Sequence, residues 1–135
     1  MRKPKALILC IIADDCGLHT RKELLQDNGY EVLTAQSGQK GLRLLVAHAI
    51  DAVVLDKRMN GDQVANQMKL VKPDIPILMV SACGGLSTKE LRYVDAFLCE
   101  EESWATLVST LDQLLNSRFP VFVRWLEDWK DQQSQ

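Results

Sequence analysis

Hydrophobic and polar positions fall in alternating blocks along the chain. The unbroken apolar run "ALILCII" (6–12) predicts a strand covered on both faces, as in a parallel sheet. "DAVVLD" (51–56) and "IPILMVS" (75–81) carry the same signature. "YEVLTA" (30–35) and "VDAFLC" (94–99) bring the predicted strands to five. The blocks between them read as helices. Residues 18–28 carry Leu18, Leu24 and Leu25 among polar neighbours, with Gly29 as a stop. Residues 38–49 place Leu42, Leu45 and Val46 on one face, and residues 62–72 place Val64, Met68 and Val71 at helical spacing before Pro73. A short helix over 87–93 shows a capping-box pair, Ser87 and Glu90. A longer one over 103–116 is capped by Ser103 and turns Leu107, Leu111, Leu114 and Leu115 inward.

Strands alternating with helices through short connections build a parallel sheet with helices on both faces. In such sheets a site lies beyond the carboxyl ends of the strands, where strand order reverses. That directs attention to 13–17, 56–61, 81–85 and 99–102. The first of these holds adjacent carboxylates, Asp14 and Asp15, that repel one another.

With those segments in place, the chain resembles the receiver domains of two-component response regulators over roughly residues 5–116. The resemblance is carried by "ALILCIIADD", "NGYEVLTAQSGQKGL", "DAVVLDKRM", "PDIPILMVSA" and "VDAFL". It implies an α/β, flavodoxin-like three-layer sandwich with a five-stranded parallel sheet of order 2-1-3-4-5. It implies a phosphoryl acceptor at Asp56, a phosphoryl contact at Ser81 and a switch aromatic at Phe97. It also implies Mg²⁺ held by an acidic pair after the first strand and by the backbone carbonyl two residues after the acceptor, here Arg58. A carboxylate attacks a phosphoryl group only when the charges on both are neutralised. A hard cation and a lysine ordinarily supply that neutralisation.

Three departures weaken this site. Aligned without gaps, the acidic pair falls on Ile12 and Ala13, with Asp14 at the following position and Asp15 in the loop. Making Asp14 and Asp15 the pair instead shortens the first helix by about two residues. The ungapped reading keeps normal element lengths, and the tentative metal ligands are Asp14, Asp15, Asp56 and Arg58. The expected lysine is replaced by Glu100, within "CEEES", a charge of the wrong sign beside a phosphoryl group. The loop after the acceptor, "DKRMNGDQVA", is shorter than the family's by about three residues. Lys57 is a second candidate cation, although a lysine beside an acid on a loop is ordinarily just solvated. Mg²⁺ is therefore expected to bind weakly or not at all.

Composition narrows the classes. The chain has 135 residues, 47% hydrophobic and 25% charged, with a net charge of −2. That suits one globular domain and offers no basic excess for nucleic acid. No apolar run approaches membrane-spanning length. Four cysteines without metal-ligand spacing suit a reduced, cytoplasmic setting. Cys16, Cys83 and Cys99 follow predicted strands, with His19 near in sequence, but small apolar packing outweighs a metal or redox site there. "ADDCG" lacks a glycine-rich phosphate loop, which argues against a flavin or nucleotide enzyme.

Residues 1–117 are thus read as a receiver-like domain, and 118–135 as an appended amphipathic helix and polar tail. In the tail Phe122, Trp125, Leu126 and Trp129 recur at helical spacing and need a surface to cover them. A protein contact, including homodimerisation, suits the interspersed acids better than a membrane does. The sequence reading is a stand-alone, non-enzymatic receiver-like protein. In it Asp56 takes a phosphoryl group from a histidine kinase. The alternative is a degenerate receiver acting as a phosphorylation-independent interaction module.

Overall fold

The computed structural model describes residues 6–13, 15–59, 61–81, 94–99 and 104–116. The elements are β1 (Leu7–Ile11), α1 (Asp15–Asp27), β2 (Glu31–Ala35), α2 (Gly38–Ala47), β3 (Ala52–Asp56), a single 3₁₀ turn (Lys57–Met59), α3 (Gly61–Val71), β4 (Ile77–Ser81), β5 (Ala96–Cys99) and α4 (Trp104–Asn116). All five strands pair in parallel in the order β2-β1-β3-β4-β5. The apolar runs predict the parallel sheet, and its order is the flavodoxin-like one that the resemblance implies. The predicted short helix over 87–93, with Ser87 and Glu90, lies outside the described residues. So do the Ser103 cap and the tail with Phe122, Trp125, Leu126 and Trp129.

The apolar runs are explained by two cores sharing one sheet. Ile8, Cys10, Ile12, Val54, Leu78 and Val80 face one layer, where Leu25 of α1 and Leu107 and Leu111 of α4 cover them. Leu9, Ile11, Val53, Leu55, Ile77 and Met79 face the other, under Leu45 of α2 and Val64 and Met68 of α3. Successive strand residues point to opposite faces, so every position of a central strand must be apolar.

Element boundaries follow local chemistry. α1 closes on Gly29, whose φ of 93° only glycine adopts without strain. Tyr30 N donates to Leu25 O and Gly29 N to Gln26 O, each at 3.0 Å, satisfying two helix-end carbonyls. α2 opens at Ser37, whose hydroxyl accepts from Lys40 N at 3.2 Å. α1 begins at Asp15, earlier than the pattern over 18–28 predicts. Asp15 and Cys16 therefore stand in α1 and not in a loop, and Cys99 stands inside β5. Two expected core positions are corrected. Val46 is 70% exposed because it lies a further 100° around α2 from the buried Leu45. Val71 is 46% exposed at the last turn of α3, where Ala65 joins Val64 and Met68 in the core instead.

At the amino ends of the strands, two aspartates close the sheet. Leu7 N donates to Asp51 Oδ2 at 2.8 Å, just before β3. Ile77 N donates to Asp95 Oδ2 at 2.8 Å, just before β5, and Lys69 reaches the same oxygen at 2.7 Å. Each supplies an acceptor to the first amide of a neighbouring strand, which the ladder leaves open. Beside them the Tyr30 hydroxyl donates to Asp112, tying the start of β2 to α4.

Candidate functional site

Strand order reverses between β1 and β3, so the crevice opens where those two strands end. β3 ends on Asp56, whose side chain is 2% exposed. The chain then tightens into the 3₁₀ turn, which carries Arg58 back over the carboxylate. Arg58 N donates to Asp56 Oδ1 at 3.0 Å, an Asx-type closure. Arg58 Nε lies 3.2 Å from both Oδ1 and Oδ2, and Nη2 lies 2.8 Å from Oδ2. One residue thus covers both oxygens. A buried carboxylate is costly alone, and a charge-assisted fork offsets that cost. The Arg58 side chain as a whole remains 61% exposed.

The other residues assigned by sequence fall around this pair to different degrees. Ser81 ends β4, is buried, and stands one register step beyond Val80, the partner of Asp56 across the ladder. Ile12, with 0% exposure, and the exposed Ala13 are the first two residues beyond β1. Phe97 lies within β5, half-buried against the α2/α3 core. α3 begins at Gly61, where an added Cβ would stand 2.7 Å from Met79 Cε. The shortened loop therefore re-enters the fold tightly, and a side chain at Gly61 forces a shift. Asp14, Glu100, Glu101, Glu102 and Cys83 lie outside the described residues. His19 pairs on the surface with Glu23 at 3.1 Å, an i,i+4 contact.

The arginine is what sequence reasoning missed. The sequence reading gives Arg58 only a backbone carbonyl and offers Lys57 as the spare cation. The signal was an arginine two residues after a strand-ending acid, in a loop too short to carry it away.

The described groups do not fit a magnesium cage. Mg²⁺ demands near-octahedral oxygen ligands. Ile12 and Ala13 present hydrocarbon, and both oxygens of Asp56 already accept from Arg58. Among the described residues no three His, Cys, Asp or Glu side chains gather to hold a metal ion.

Comparison with known proteins adds ancestry to this geometry. The family model described as the response regulator receiver domain matches residues 9–95. The chain is 32% identical over 133 residues to the transcriptional regulatory protein GlrR of Escherichia coli (strain K12), covering 93% of this chain and 30% of GlrR. It is 34% identical over 85 residues to the response regulator MprA of Mycolicibacterium vanbaalenii, covering 61% of this chain and 37% of MprA. Among solved structures, the response regulator protein TrrA of Thermotoga maritima, in complex with Mg²⁺ and BeF, is similar with a TM-score of 0.75 at 26% identity. That match covers 81% of this chain and 98% of TrrA. The chain thus spans about a third of the length of these curated relatives. Among the described residues no helix is long and apolar enough to cross a membrane.

Proposed function

The chain belongs to the response-regulator receiver domains of two-component signalling, and on that premise we propose that Asp56 is its phosphoryl acceptor and a histidine kinase its donor. Receiver domains are signalling modules that interact with histidine kinases, and they are not enzymes in the ordinary sense. The observation that carries the reading is the placement of buried polarity. Of the three buried polar or charged residues among those described, two, Asp56 and Ser81, end adjacent strands at the crevice. A core spends burial on such groups only where they have a use or a partner.

The chemistry at that edge is in-line displacement. A carboxylate oxygen of Asp56 attacks phosphorus, the bond from phosphorus to the donor breaks, and the donor leaves with the electron pair. The Ser81 hydroxyl is suited to donate to a phosphoryl oxygen. Positioning and charge neutralisation are the protein's main contributions to such a step. At most, then, the chain catalyses its own phosphorylation at Asp56.

The second reading is a phosphorylation-independent interaction module. The Arg58 fork on both oxygens of Asp56 favours it, because a satisfied carboxylate is a poorer nucleophile. In either reading the aromatic positions Phe122, Trp125, Leu126 and Trp129 of 118–135 are proposed as a protein contact, with a second copy of the chain as one candidate partner. Intact mass after incubation with acetyl phosphate separates the readings. A phosphoryl adduct on the wild type that is absent from Asp56→Asn supports the acceptor. No adduct on folded protein, from acetyl phosphate or from kinase, supports the module.

A further inference from the structure

We propose that Arg58 is a resident counterion that takes the place of a divalent metal at Asp56 and keeps Mg²⁺ from that carboxylate. The inference rests on the reading of Asp56 as the reactive carboxylate, and its test does not depend on phosphoryl transfer.

Three observations converge on it. The first is occupancy. Oδ1 accepts from Arg58 N and Nε, and Oδ2 from Nε and Nη2, at 2.8–3.2 Å. A cation bound directly to the carboxylate must approach those same lone pairs at about 2.1 Å, so metal and guanidinium exclude one another. Their like charges repel as well. The second is the surroundings. Among the described residues, Ile12 and Ala13, the first two beyond β1, offer hydrocarbon side chains and no carboxylate to an arriving cation.

The third is tethering. The 3₁₀ turn places the guanidinium two residues from its acceptor, so its local concentration is fixed by the chain and not by solution. Arginine stays charged at any pH the protein survives, and no chelator removes it. Its fork also matches a phosphoryl group. After transfer the guanidinium can exchange carboxylate oxygens for phosphoryl oxygens without leaving the crevice. A pocket of this design neutralises its carboxylate with a side chain, so any adduct that forms does so equally with added Mg²⁺ or with EDTA.

The test is Mn²⁺ titration of the full chain, read by paramagnetic broadening of backbone amide resonances at residues 55–57. The expected result is that the wild type broadens there no more than Asp56→Asn does. In Arg58→Ala, broadening that depends on Asp56 appears, at an Mn²⁺ concentration lower by about tenfold or more. Arg58→Gln, which keeps the side-chain length, serves if Arg58→Ala does not fold. Wild-type broadening that Asp56→Asn abolishes overturns the proposal. So does a folded Arg58 variant as indifferent to Mn²⁺ as the wild type, since Arg58 is then not what keeps the metal out. Absence of a mass adduct defeats the acceptor reading alone and leaves the titration result standing.

Discussion

Aspartates close both edges of the sheet, and they do so differently. At the amino edge Asp51 and Asp95 each accept from the leading amide of a neighbouring strand at 2.8 Å. Each thereby satisfies a backbone donor that the ladder leaves open. At the carboxyl edge Asp56 accepts from a side chain that is itself mostly in solvent. The amino-edge carboxylates therefore complete the fold, and removing one strands a donor. The carboxyl-edge carboxylate has drawn its partner to itself, and removing it breaks a fork made by a largely exposed side chain. One residue type thus serves stability at one end and exchangeable chemistry at the other.

Substitutions test the contrast, beginning with the strongest. Asp95→Ala strands Ile77 N and leaves Lys69 with only its bond to Ile75 O. It should cost about 2 kcal/mol, seen as a lower urea midpoint with an unchanged slope. Asp51→Ala, which orphans Leu7 N, should cost about 1–2 kcal/mol by the same measurement. Asp56→Ala should stay within about 1 kcal/mol of wild type in either direction, because the pair it breaks is half in solvent. A loss at Asp56 as large as that at Asp95 would erase the distinction between the edges.

A smaller effect sharpens the amino edge further. Burial first, then the hydrogen bond and charge of Asp112, raise the Tyr30 hydroxyl above the usual tyrosine range. The fold thus favours the neutral phenol. Its contribution is complete below pH about 10, the unfolded value, and is lost as pH rises beyond it. Burial likewise pushes the Cys10 thiol from 9.0 up to about 12, against a weaker opposing pull from Arg21. Its contribution is complete below pH 9 and is lost as pH climbs toward 12. Thermal midpoints should therefore hold steady to about pH 9 and fall above it. Tyr30→Phe should cost about 0.5–1.5 kcal/mol at neutral pH and remove the later part of the alkaline fall.

The architecture was legible because burial on two faces leaves so strong a mark. The runs around Leu9, Val54 and Leu78 admit little besides central parallel strands, and Gly29 marks a helix end by its own stereochemistry. Finer placement was less legible. Val46 sits beside Leu45 in sequence but a third of a turn away in space, so its apolar character said nothing about its exposure. A buried acid ending the third apolar run was legible in the sequence, and its reading as an acceptor comes from resemblance. The grip of Arg58 on it was not. That grip arises from a three-residue turn whose handedness and tightness leave no periodic pattern. A carboxylate and an arginine near one another in sequence are usually solvated.

The two cores also differ in when they can be finished. The buried members of the α2/α3 layer run from Leu9 to Met79. Those of the α1/α4 layer begin at Ile8 but are not complete until Leu107 and Leu111 arrive, with Asp112 meeting Tyr30 one residue later. During synthesis, then, one side of the sheet can consolidate while the other still shows its apolar face to the ribosome exit. The last helix ends that exposure, and a chain stopped before residue 104 should linger as a chaperone client where the full chain does not.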